Sequence, residues 1–135
     1  MATPTAVRMI LSMYLGYGAA NSDRPCLDFD ERSTVTGNAI YQETMELAAS
    51  ATDTSLDLST KMDTIHAVAI REISGNTAGA KYGPAAGAGN KFNLGGSKAV
   101  VLRFKTDDTP PTLYFSNPDG TNKLFLEITA IGNRS

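Results

Sequence analysis

The sequence has no tryptophan, one cysteine, one histidine and no excess of basic charge. Each shortage removes a class of function. The single Cys26 excludes an intramolecular disulfide framework and every multi-cysteine zinc pattern. It also fits a chain folded in a reducing cytoplasm. Its neighbours Asp23, Arg24, Asp28 and Asp30 supply no net positive field to activate the thiol. Twelve Lys and Arg against fourteen Asp and Glu leave a net charge of −2. Nucleic-acid binding needs clustered cations to replace counterions, so a nucleic-acid partner is not expected. No apolar run approaches the roughly 20 residues that span a bilayer. The start, Met1 to Ala6, carries no basic region, and Arg8 interrupts the apolar stretch that follows. These features predict neither a signal peptide nor a membrane anchor, and synthesis in the cytoplasm.

The supply of catalytic residues is equally thin. His66 sits in a β run between Ile65 and Ala67, the setting of a packed histidine rather than of a general base. No family signature surrounds it or Cys26. Gly16-Tyr17-Gly18 lacks the third glycine and the helix of a dinucleotide fingerprint. Gly87-Ala88-Gly89-Asn90-Lys91-Phe92 lacks the Gly-Lys-Ser/Thr ending and the helix N-terminus that would hold a phosphate. The expectation is a protein without catalytic residues or cofactor, and not an enzyme.

What is present is period-two alternation. At 135 residues and 41% apolar, the chain is long enough for one domain with a real core. Val7 to Tyr17 places Val7, Met9, Leu11, Met13, Leu15 and Tyr17 on one face, which predicts a strand. Gly18 to Gly37 is rich in Asn, Ser, Asp, Pro and Gly and reads as loop, with a short strand near Leu27 to Phe29. Ala39 to Ala49 suits a helix by propensity and a strand by alternation, and the strand-like remainder of the chain favours strand. In Ile65 to Ile73, His66, Val68 and Ile70 share a face opposite Ile65, Ala67, Ala69 and Arg71. Ala99 to Thr106, Thr112 to Ser116 and Lys123 to Ile131 follow, separated by Pro110-Pro111 and by Asn117-Pro118-Asp119-Gly120 as turn signals. No helix of ten to fifteen residues separates successive strands. The pattern predicts an all-β protein: a flexible arm over 1–6, then a single antiparallel β-sandwich or jelly-roll-like domain over 7–135.

Thr77 to Gly96 departs from this pattern. Six glycines, several alanines and Pro84 leave few side chains to bury, which predicts a long exposed Gly/Ala-rich loop over 77–96 that the fold could lose. Long loops on a rigid frame commonly carry contacts. Thr5 of the arm with Gly79, Tyr82, Pro84, Gly87 and Gly89 of the loop are therefore the interface candidates. Asp28, Asp30 and Glu31 offer hard oxygen ligands to a cation such as Ca²⁺. The same residues also suit a solvated turn neutralised by Arg24 and Arg32, and no metal is assigned.

One resemblance adds to this. Leu47 to Leu58, ending in Leu56-Asp57-Leu58, leads into Ile65-His66-Ala67-Val68-Ala69-Ile70-Arg71-Glu72-Ile73. Phe92-Asn93-Leu94-Gly95-Gly96 then precedes Ala99-Val100-Val101-Leu102-Arg103-Phe104, and the chain ends on Leu124 to Ile131. This layout resembles the small β-sandwich virion structural proteins of tailed bacteriophages, over about two-thirds of the chain. The resemblance implies a non-enzymatic component of the particle, a capsid decoration (cement) protein stabilising the shell, or alternatively a neck or tail component. It also implies a virion location, a homo-oligomer, a trimer at three-fold positions, and the major capsid protein or another virion protein as partner. A lectin-like glycan-binding module is the other alternative, with Tyr14, Tyr17, Tyr41, Tyr82 and Tyr114 as stacking surfaces.

Overall fold

A computed structural model describes residues 6–15, 24–34 and 39–135. The chain divides into two compact units, Met1–Val35 and Thr36–Ser135. The sequence reading of one sandwich over 7–135 is corrected here, because among the described residues β1 (Ala6–Leu15) and β2 (Arg24–Thr34) pair only with each other. Thr5 and most of the expected arm lie outside the described residues, and Ala6 already opens a strand.

The first unit holds β1 (Ala6–Leu15) and β2 (Arg24–Thr34), an antiparallel two-stranded sheet. Residues 24–34 read as loop with only a short strand near Leu27 to Phe29, because of their polar content. An 11-residue strand forms instead, since β1 supplies a ladder partner, interrupted only by a bulge at Cys26, and charged side chains are tolerated on a face open to water. On that face Arg8, Ile10, Asp30 and Arg32 are all exposed. Arg8 donates to both carboxylate oxygens of Asp30, at 2.7 and 2.5 Å. The pair is diagonal in the register, Arg8 lying opposite Arg32 and Ile10 opposite Asp30.

The second unit is a sandwich of two antiparallel four-stranded sheets packed together. One sheet has the order β3-β10-β5-β8, from β3 (Ile40–Leu47), β10 (Leu124–Asn133), β5 (Thr64–Glu72) and β8 (Ala99–Asp108). The other has the order β4-β9-β6-β7, from β4 (Thr54–Asp57), β9 (Thr112–Ser116), β6 (Ala80–Gly83) and β7 (Phe92–Leu94). Every connection except β6 to β7 crosses between the sheets. The crossings between the sheets are rich in Asn, Asp, Ser and Gly, which accept turn conformations. Ser50, Asp53 and Ser97 adopt positive φ in these crossings, and Asp107 does so within β8. Ala39 to Ala49 resolves as β3, so pairing with β10 outweighs its helical propensity.

Period-two burial holds where the ladder is regular. Leu124, Leu126, Ile128 and Ala130 of β10 are buried, with Glu127 and Thr129 turned outward. Leu56 and Leu58, and Leu113 and Phe115 of β9, fill the facing sheet. In β5 the alternation breaks: Ile65 is buried, but so are Val68 and Ile70. The register to both β10 and β8 skips His66. One extra residue at this bulge buries Ile65 with Val68 and Ile70, which the sequence alone placed on opposite faces; Val68 and Ile70 stay opposite Ala69 and Arg71 as the alternation predicts.

The 77–96 segment is the largest correction. It is not one exposed loop: it contains β6 and β7, with β6 lying between β9 and β7. Two of its glycines, at the ends of β6, serve close backbone approach. A Cβ on Gly79 would lie 2.2 Å from the Leu94 carbonyl oxygen, and one on Gly83 would lie 2.2 Å from that of Asn90. Glycine-rich text reads as loop because it offers nothing to bury, yet here the missing Cβ lets two strands meet. Only Pro84 to Lys91 remains a connection, at the tip of a hairpin.

Candidate docking cleft and hairpin tip

β7 and β8 are edge strands, one in each sheet. Between them the sandwich carries a cleft of about 350 Å³, lined by Tyr82, Pro84, Phe92, Val101, Phe104 and Leu113 among others. The lining is mainly apolar. Tyr82 and Phe92 are opposed in the β6–β7 register, with ring centroids 5.7 Å apart. Phe92 nevertheless remains 62% exposed. A half-covered aromatic beside an apolar cleft is the arrangement that a partner's side chain can complete.

The tip above the cleft is held rather than loose. Asp53 sits at φ 52°, and its amide donates to Ser116 Oγ at 3.1 Å. Its Oδ1 accepts from the Gly87 amide at 3.1 Å and from Lys91 Nζ. Lys91 Nζ also donates to the Gly87 carbonyl at 3.1 Å, and its side chain is only 1% exposed. Lys91 beside it, then the Gly87 amide, hold the Asp53 carboxyl below its usual range. Asn90 Nδ2 closes the turn on the Ala86 carbonyl at 2.7 Å. The sequence reading missed this latch because Asp53 and Lys91 lie 38 residues apart and neither has a motif around it. Asp53→Ala is expected to leave the sandwich folded while the Gly87 amide exchanges faster and protease cleavage rises within 84–91. Hydrogen exchange and limited proteolysis check it; unchanged protection of Gly87 would show that the tip holds without the latch.

A second crosslink ties the turns beside this latch. Asn117 is 1% exposed, and its Nδ2 donates to the Asn122, Ala48 and Leu47 carbonyls at 2.8, 3.1 and 3.4 Å. Asp119 accepts from the Thr121 and Asn122 amides, which hold its pKa at about 2.

The structure sorts the expected site residues. Tyr82 and Pro84 line the cleft, and Gly87 and Gly89 sit on the exposed tip. Gly79 is buried against β7 and cannot serve as a contact. Asp28, Asp30 and Glu31 lie in β2 rather than on a loop. Asp30 is engaged by Arg8, and no group of three metal-ligating side chains forms among the described residues. His66 occupies the β5 bulge, its Nε2 buried and without a hydrogen-bond partner. Cys26 belongs to β2 of the other unit. Among the described residues no helix is long and apolar enough to cross a membrane. Compared with known proteins, the chain matches no family model, no curated protein and no solved structure.

Proposed function

We propose that this chain is a non-enzymatic structural protein of a bacteriophage virion, a capsid decoration protein that reinforces the shell. In this reading its cleft and hairpin tip dock on the major capsid protein, and copies of the chain associate with one another. A neck or tail component would use the same surface. The observation that carries the reading is the apolar cleft between β7 and β8, with Phe92 exposed at its mouth and a latched tip beside it. A rigid sandwich presenting such a surface acts by complementarity rather than by chemistry. The resemblance of the sequence layout to phage virion proteins directs the choice of partner. Tyr82 already packs its ring against Phe92, which favours a protein side chain over a stacked sugar as the occupant.

The test is attachment to purified particles. Phe92→Asp puts a charge where apolar area would be buried, so occupancy on the shell is expected to fall by at least about tenfold. The free variant should unfold at an unchanged denaturant midpoint, because Phe92 is largely exposed. Raising the salt should weaken attachment by less than about tenfold, since a net charge of −2 gives little long-range steering. Full occupancy by Phe92→Asp, or no occupancy by the wild type, would overturn the proposal.

A further inference from the structure

We infer that the β1 edge pairs with the β1 edge of a second copy, joining two hairpins into one four-stranded antiparallel sheet. An isolated two-stranded hairpin is marginal in water, and three or more strands are the usual minimum for independent stability. The β1–β2 hairpin has strands of 10 and 11 residues, forms its own compact unit, and among the described residues neither strand has a second neighbour. Each strand is about 33 Å long, so each open edge is an extended row of backbone donors and acceptors.

The other edges of the protein are blunted in ways that natural sheets use against pairing. β4 and β7 have only four and three residues. β8 carries Arg103, Lys105, Asp107 and Asp108, and its register is broken opposite the β5 bulge. β3 carries Glu43 and Glu46. β2 is guarded most heavily, with Pro25, which has no amide to donate, and Arg24, Asp28, Asp30, Glu31 and Arg32. β1 stands apart. Its ten residues, AVRMILSMYL, contain one charge and no proline, and that charge, Arg8, is neutralised within its own hairpin by Asp30.

This asymmetry chooses the partner and the symmetry. A ring built by β1 of one copy on β2 of the next would use the guarded edge. Pairing β1 with β1 uses the unguarded edge twice and leaves both β2 edges facing water. An antiparallel pair of identical strands is a two-fold, self-complementary contact, which closes at two copies. Charge agrees: when the strands pair about their centre, the two Arg8 side chains fall at opposite ends and do not oppose one another. The contact lies wholly in the first unit, so it does not depend on what the cleft binds. It also gives a two-fold association in place of the three-fold one that the resemblance implies.

Two measurements on the full chain test it. Light scattering should give twice the 14.3 kDa chain mass, and amide exchange should be slow at consecutive β1 positions. In a lone hairpin only alternate amides, those turned toward β2, are protected; pairing should slow the others by at least about tenfold. Met9→Pro and Ile10→Pro place a proline at successive positions, so that one of them removes an outward amide. That variant should return to the monomer with the second unit's unfolding unchanged. A monomeric or trimeric mass, alternating exchange along β1, slow outward amides on β2, or dimers persisting in both proline variants would each overturn the inference.

Discussion

Glu72→Ala is expected to cost about 3 kcal/mol of stability, because three backbone amides lose their acceptor at once. Glu72 is fully buried at the end of β5. Its Oε1 accepts from the Ser74 amide at 2.8 Å and from Ser74 Oγ. Its Oε2 accepts from the Gly75 amide at 3.0 Å and the Ser97 amide at 2.7 Å. The side chain thus joins the turn after β5 to the turn before β8, 25 residues away. An orphaned buried donor costs about 1–3 kcal/mol. Ser74, Gly75 and Ser97 are themselves exposed, so water can reach these amides and the lower end of that range applies to each. Burial raises the Glu72 pKa, but the hydrogen bonds from Ser74, Ser97 and Gly75 outweigh it, and the carboxyl ends below its ordinary value. A carboxyl with a lowered folded pKa adds stability that is complete above its unfolded pKa and is lost as pH falls through the folded value. Wild-type stability should therefore decline on acidification through and below the ordinary carboxylate range, and Glu72→Ala should show a shallower decline. Urea titrations at several pH values measure both. Equal losses at neutral and acidic pH would show that the carboxylate charge is not what holds the two turns.

Gly132→Ala is the second large effect, about 2–3 kcal/mol from one added methyl group. Gly132 lies in β10, where the register to β5 shifts to accommodate the His66 bulge. A Cβ there would stand 1.9 Å from the Thr64 carbonyl oxygen and 2.8 Å from Met62 Sδ. Met62 can move its flexible side chain, but the Thr64 carbonyl belongs to the backbone, so β5 and β10 must separate. The Gly132 amide also donates to the Ala39 carbonyl at 2.9 Å, so the displacement is felt on both sides of the strand. Gly89→Ala is the matched control. Nothing lies within 4 Å of its Cβ position and its φ is not in the left-handed region, so that variant should be neutral or up to about 1 kcal/mol more stable. Parallel denaturant melts decide the comparison. Equal midpoints for the two variants would mean that the strand can relax around the methyl group.

The sequence by itself determined the class of fold and most of the strands. Period-two alternation in 99–106, 112–116 and 123–131 survives as β8, β9 and β10, because a half-buried strand must alternate wherever its ladder is regular. Only the tertiary structure decided the rest, and in each case a partner distant in sequence is the reason. The bulge at His66 brings Ile65 to the buried side of Val68 and Ile70 without leaving a mark in the residue pattern, since it is defined against β8 and β10. β6 and β7 hide in glycine-rich text because Gly79 and Gly83 answer to backbone carbonyls of Leu94 and Asn90 across the hairpin. The charged residues of β2 become a strand only because β1 offers a ladder. The cleft follows the same rule: Tyr82 and Pro84 were candidates from the sequence, whereas Phe92, Val101 and Leu113 join them only once four strands from two sheets converge. Alternation is a local property that a chain writes along its own length; edges, latches and clefts are relations between segments, and they exist only after the sheets have packed.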